Sequence, residues 1–456
     1  MLALGSAQET IESQIKEGLV QFDLGSFMTD VVLADLNSPA HPFLLGRCLW
    51  VGSKFPSHLQ QPAIASFLEG TVRGLHHDQP HPVRISAVRA IWGFCNHLRG
   101  SKGAEESPRR QLLVPLLPAL VEGLVNMASN FSHSSEILGL ILENLAVVLS
   151  CDQKFTAAQE AKVAPLAIAI FLKYNSDPVI TSLSQDIFKV LSANPECAGP
   201  LQGRLVPPLL SILNASEDKS GLKGLALDVL SSLVRSAPRP LSDPLMLTMF
   251  PAAIQVTLTT DDNSVLQAGG ECIRSYLSVA PDQVTAYCLY VCLFCCLIRK
   301  LPISSGLFQV VAFTDPNGKS GIVHVIAVAE HLLNPVGSEF SATFVGRLVT
   351  TLIQQMGSRL GDQLDMLLKA VLSKLQGAQT LTVAQSLIMV YAHLVHSQLE
   401  AVLAFLSSVP GPTGASALQF VLGEWVGKQQ QFFGCYESKV SLLFFIYPFL
   451  PPVLNM

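Results

Sequence analysis

Charge is scarce in this chain. Of its 456 residues only 14% are Asp, Glu, Lys or Arg, well under the usual quarter, while 49% are hydrophobic. Such a chain buries much of its length and leaves little solvated surface. The 29 Lys and Arg are outnumbered by 34 Asp and Glu and form no basic run, which argues against direct contact with nucleic acid. Long apolar runs are also lacking. Only residues 286–298 approach membrane-spanning length. As a helix they would reach about 20 Å, short of a hydrocarbon core of ~30 Å, so no membrane anchor is expected.

The opening MLALGSAQETIES has no basic flank leading into an apolar core and no small-residue cleavage site, so no signal peptide is expected. Ten cysteines at irregular spacing then read as reduced thiols of a cytosolic protein. Cys288, Cys292, Cys295 and Cys296 crowd one apolar stretch without the paired CxxC spacing of a zinc module.

Catalytic patterns are missing as well. NGKS at 317–320 ends like a phosphate loop, but the position that needs the earlier glycine is Phe313, so a plain turn is the better reading. His76, His77, Asp78 and His81 cluster in a polar turn without ligand spacing. His393 and His396 lack the glutamate and the i, i+4 separation of a zinc-protease helix and are expected on one side of a packed helix. There is no nucleophile elbow and no dinucleotide fingerprint. The expectation is no enzyme, no cofactor and no metal.

What is present is helix, almost everywhere. AIASFLEGTVRGL (63–75) and VRISAVRAIWGFCNHL (83–98) carry apolar residues at spacings of three and four. Between them HHDQPHP supplies a stop and a start, with Pro82 suited to a first helical turn. The same hairpin returns at 166–192, 205–234, 250–280 and 364–395. The second helix of each opens at a regular place: Ile137, Val179, Leu222 and Val265 are 42, 43 and 43 residues apart, and Phe340 to Val383 is again 43. A two-helix period in the low forties predicts an all-α fold, a HEAT/ARM-type α–α superhelix, in which no hairpin has a core until its neighbours stack on it. Val265 to Phe340 is 75 residues, one period plus a surplus, and the apolar, cysteine-rich stretch lies inside that surplus.

Several stretches also carry a resemblance: HPFLLGRCLWVGSKF, GLHHDQPHPVRISAVRAIWGFCNHL, FLKYNSDPVITSLSQDIFKVLS, TTDDNSVLQAGGECIRSYLSV, SEFSATFVGRLVTTLI, QSLIMVYAHLVHSQLE and SSVPGPTGASALQFVLGEW. In this order they resemble the central region of a nuclear transport receptor of the importin-β (karyopherin-β) family. Asp78, Val83 and Arg84 match the acid and the Val-Arg pair of the family's HEAT repeats, and the resemblance implies that such an acid and arginine form a ladder between neighbouring repeats. It further implies protein cargo, especially basic proteins such as histones and ribosomal proteins, binding to Ran-GTP and to nucleoporins, and residence in cytoplasm and nucleus. MLALGS resembles an internal helix of the family. The N-terminal repeats that grip Ran, and an acidic segment of the C-terminal half, are therefore expected to lie outside this sequence, a central fragment with weak Ran binding.

The resemblance divides the chain into repeats over 1–284, an anomalous apolar insertion at 285–314, further repeats over 315–440 and an anomalous apolar tail at 441–456. Gln283-Val284 and Lys439-Val440-Ser441 are what splice donors read through in frame would encode, so both anomalies are expected to be translated intron. Period and composition alone also fit a HEAT scaffold or adaptor unconnected with transport.

Overall fold

The computed structural model describes all residues except 39–40, 100–107, 217–220, 287–320, 336, 413 and 447–456. Among the described residues there is no strand; an isolated bridge between Pro410 and Ser416 is the one piece of extended pairing. The chain divides into two compact units. One comprises 1–205 with 236–238, the other 206–235 with 239–456.

The first unit begins with short helical pieces, including Leu2–Ser6 and Gln8–Lys16, and then settles into long helices. Gln61–Gly74 and His81–Leu98 form the hairpin expected from the sequence, with Pro82 in the first turn of the second helix. Leu117–Asn130 with Ser135–Leu149, and Gln153–Lys173 with Pro178–Ala193, repeat it. The second helices pack in a row: Pro42–Lys54 on His81–Leu98, that on Ser135–Leu149, and that on Pro178–Ala193. Phe67 and Phe94 stack across one hairpin with ring centroids 6.2 Å apart, and Phe171 meets Phe188 edge-on across another. All four are buried, and side chains of this size contribute about 1.5–3 kcal/mol each on burial.

The second unit follows the same plan. Asn263–Val279 packs against Glu339–Leu360, and that against Leu381–Ser408. Cys435–Ile446 then adds to the row. Residues that would otherwise bury a lone hydroxyl anchor it to the first helix of their own hairpin: Tyr276 donates to the Leu245 carbonyl at 2.8 Å and Tyr391 to the Leu368 carbonyl at 2.9 Å.

Capping explains why the helices start where the two-helix period places them. Ser134 Oγ accepts from the Ile137 N–H, Asp177 Oδ1 from Val179 and Ile180, Asp262 Oδ1 from Ser264 and Val265, and Ser338 Oγ from Phe340. Each satisfies orphan donors of the first turn. The Thr380 N–H is met instead by the Glu339 carboxylate at 3.0 Å, 41 residues back. The period therefore reappears as contacts between successive repeats. Tyr174 Oη reaches the Ser132 carbonyl over 42 residues, Ser231 meets Ser275 over 44, and Gln283 Nε2 donates to the Leu241 carbonyl over 42.

The long spacing after Val265 does not interrupt this order. Asn263–Val279 and Glu339–Leu360 lie side by side as successive second helices. Just past the first of them, Asp282 and Thr285 accept from Arg359 at 3.1 and 3.0 Å. Most of the expected insertion, with NGKS and the four clustered cysteines, lies outside the described residues. The expected tail begins inside the helix Cys435–Ile446, where Ser441 is buried and its hydroxyl meets Trp425 Nε1; its remainder from 447 also lies outside.

One expectation needs correcting. Three helices are long and apolar enough to cross a membrane by length and composition: Arg110–Asn130, Gln153–Lys173 and Leu381–Ser408. An unbroken apolar run was the wrong measure, because a few polar residues leave a window's mean hydropathy high. These windows are 39%, 39% and 50% buried inside the fold, since helices flanked by other helices need apolar residues on more than one face.

Candidate protein-binding surface

Successive second helices present their polar stripes side by side. In the first unit Arg89, Trp92 and Asn96 stand at spacings of three and four on His81–Leu98, and so share a face. Glu143 and Asn144 on Ser135–Leu149, and Trp50 on Pro42–Lys54, join them around a depression of about 550 Å³. Close approach of two of these helices depends on Gly93, where a Cβ would sit 2.2 Å from the Ser53 carbonyl oxygen.

Trp92 is 47% exposed, unusual for the largest apolar side chain. Trp50 carries two cations, with the Arg47 guanidinium 5.5 Å and the Lys54 ammonium 5.9 Å from its ring centroid. Asn144 is almost wholly buried. Its Nδ2 donates to the Leu140 carbonyl at 2.8 Å while Oδ1 has no hydrogen-bond partner. The depression thus offers an aromatic face, carboxylates at Glu12 and Glu143, and cations at Lys54 and Arg89. That mixture suits a polypeptide segment with long side chains, because indole faces accept alkyl stems and guanidinium groups.

The second unit has a counterpart of about 620 Å³, across Glu339–Leu360, Leu381–Ser408 and the start of Cys435–Ile446. Arg347 pairs with Glu437 at 3.3 Å on its rim. Arg274 donates to both oxygens of Glu271 at 2.8 and 2.6 Å. Burial alone would raise the Glu271 pKa, but these bonds and the neighbouring arginines hold it below the ordinary value. Asp228 shifts the other way, raised by burial and by Glu271 against the pull of Arg235. His393 lines the same depression, its ring 5.9 Å from Tyr436. Burial lowers its pKa, His396 adds to that, and Glu437 opposes it.

The residues singled out from sequence lie elsewhere. Asp78 is exposed in its turn and accepts from His76 Nδ1 at 2.8 Å and Gln79 Nε2 at 3.2 Å. Val83 is buried, close to Gly74. Arg84 is 3% exposed; its guanidinium lies 5.6 Å from the Phe131 ring centroid, and Nε and Nη2 have no hydrogen-bond partner. Asp78 and Arg84 are not brought together. Arg84 reaches the next hairpin, but through an aromatic ring rather than an acid. Acid–arginine contacts between repeats occur instead at Arg204 with Glu160 and Arg110 with Asp152. His81 turns toward Phe131, its ring 5.0 Å away, and leaves the cluster of His76, His77 and Asp78. Among the described residues no three His, Cys, Asp or Glu side chains are placed to hold a metal.

Sequence reasoning missed Trp50, Trp92, Arg274 and Arg347. A signal existed: each interrupts the apolar pattern of a second helix with a large polar or aromatic residue.

A family model for importin-11-like TPR repeats matches residues 185–444. TPR units repeat about every 34 residues, whereas the spacing here is that of HEAT hairpins. Over 426 residues, 92% of this chain, the sequence is 39% identical to importin-9 of Drosophila melanogaster, and spans 38% of it. Among solved structures, the exportin Cse1 in its cargo-free, cytoplasmic state superposes with a TM-score of 0.60 at 13% identity, covering 95% of this chain and 43% of that one. Kap121p bound to Pho4p gives 0.52 at 14% identity, covering 96% and 48%. At such identities these structures speak to the fold, a HEAT-type solenoid.

Proposed function

The chain belongs to the importin-β (karyopherin-β) family of transport receptors, and on that premise we propose that it holds protein cargo for Ran-dependent import through the nuclear pore. Basic proteins such as histones and ribosomal proteins are the cargo class, and nucleoporins the further partners. The protein then moves between cytoplasm and nucleus and performs no catalysis of its own.

The observation that carries this reading is the half-exposed Trp92, set among Asn96, Glu143 and Glu12 in a depression that spans several helices of the first unit. An indole flanked by carboxylates fits the alkyl stem and charged head of a lysine or arginine. Kap121p has been solved bound to Pho4p, to Nup53p and to the SUMO protease Ulp1p, so a protein of this fold accepts several different protein partners.

The test is a pull-down with purified histone dimer, with and without Ran-GTP, comparing the wild-type chain with Trp92→Ala and Glu143→Lys. Retention of the histone by the wild type, weakened at least tenfold in both variants and reduced only slightly by Ran-GTP, is the expected result. Equal retention by all three chains would remove the first-unit depression from the proposal. If cell extract instead yields kinases or phosphatases and neither Ran nor pore proteins, the chain is a scaffold.

A further inference from the structure

Asn144 holds a polar atom that nothing inside the protein satisfies. It lies within Ser135–Leu149 and is 1% exposed. Its Nδ2 donates to the Leu140 carbonyl at 2.8 Å, one turn back. A carbonyl oxygen only accepts, so the amino group must face it. The orphan is therefore the acceptor Oδ1, shielded from solvent and with no hydrogen-bond partner in the protein. A leucine of similar size would suit the fold better there, because a buried acceptor left unmet is destabilising. Asn144 also lines the first-unit depression, together with the exposed Glu143, Trp92 and Glu12. The unmet acceptor thus borders the surface that the proposed function uses.

We propose that this depression selects arginine over lysine, with Trp92 as the stacking face and Glu143 and Asn144 as acceptors for one guanidinium. The inference rests on the reading of the depression as a surface for polypeptide cargo, and it narrows that cargo to arginine-bearing segments.

Shape and hydration separate the two side chains. Trp50 shows the stacking contact within the chain itself, with Arg47 and Lys54 at 5.5 and 5.9 Å from its ring centroid. Trp92 is 47% exposed, so its indole is open to a cation from outside. A planar guanidinium lies flat on such a ring and still points its N–H groups outward in a rigid fork. Acceptors on the consecutive residues 143 and 144 suit two edges of one such group. An ammonium is a compact point charge that holds its water strongly. Exchanging that water for a shielded amide oxygen costs it more than it costs a weakly hydrated guanidinium. A lysine therefore pairs with Glu143 or Glu12 and leaves Asn144 Oδ1 as it was. An acidic segment fits worse, since Lys54 is already held by Trp50 while Glu12, Glu143 and Asn144 present acceptors where an acid needs donors. Arg89 on the same wall suits a backbone carbonyl of the incoming segment.

The experiment is fluorescence anisotropy of the full chain with a labelled Gly-Ser-Arg repeat peptide, and with the same peptide carrying lysine for arginine. The arginine peptide is expected to bind about tenfold more tightly. In Asn144→Leu that ratio should fall to about one, while thermal unfolding shows the variant at least as stable as wild type. Trp92→Ala should weaken the arginine peptide about tenfold. Equal affinity for the two peptides in the wild type would overturn the proposal, as would an arginine preference that survives both substitutions. An Asn144→Leu chain that is less stable but keeps the preference would make Asn144 a structural residue and overturn it too. The histone pull-down is a separate measurement. Histone retained without arginine preference leaves the transport reading standing and ends this one; an arginine preference lost in Asn144→Leu, without histone retention, does the reverse.

Discussion

Arg204 reaches back 44 residues to place Nη1 2.7 and 3.0 Å from the two carboxylate oxygens of Glu160. The Glu160 side chain is 6% exposed and that of Arg204 35%. The bond joins the helix Gln153–Lys173 to the next repeat, and its span is one period. Removing only the arginine leaves a buried carboxylate without its partner, which is costlier than removing both. Arg204→Ala is expected to destabilise the first unit by about 2–3 kcal/mol. Adding Glu160→Leu should recover part of that. Hydrogen exchange around residues 153–205 reads both, and additive losses in the double variant would show that the pair is not coupled.

Arg84 tests what a buried arginine contributes without an acid. Its Nε and Nη2 are unbonded, and burial lowers its pKa. Arg84→Met keeps most of the stem and removes the orphaned donors, so it should leave stability unchanged or raise it by about 1 kcal/mol. A ladder of acid and arginine at this position would instead make the same change destabilising. Thermal unfolding separates the two outcomes by sign.

Gly346 allows Glu339–Leu360 to approach Leu381–Ser408, since a Cβ there would lie 2.0 Å from the Ser386 carbonyl oxygen. Backbone cannot swing aside as a side chain can. Gly346→Ala is expected to cost about 1–3 kcal/mol through overpacking, outweighing the gain in helix propensity. A urea melt of the second unit's signals would check it; a stabilised variant would mean that these helices sit further apart.

Acid should weaken the second unit through His393. Its folded pKa lies below the unfolded value of 6.5, so the unfolded chain binds the proton more readily. Stability from this group is present above pH 6.5 and declines as pH falls below it. The groups facing it are His396, Tyr436 and Glu437. His393→Gln should therefore lose less melting temperature than wild type between about pH 7.5 and 5.5. Parallel losses in the two proteins would assign the pH effect elsewhere.

Much of this architecture could be read from the residues alone. Ser134, Asp177, Asp262 and Ser338 cap helices because short polar side chains bond local N–H groups whatever lies around them. Apolar spacing fixes which helices need partners, and the 43-residue beat fixes that each partner is the next hairpin. Those are local or periodic properties, so sequence determined them. The side chains that meet between repeats were decided by tertiary structure. Arg84 lies on Phe131 and not with Asp78, while Glu160 finds Arg204. Nor could spacing tell which polar stripe would gather Trp50, Trp92 and Glu143 around one depression. The physical reason is that such pairings depend on how far one helix slides and turns on its neighbour, and side-chain contacts change over a few ångströms that a repeat length does not specify.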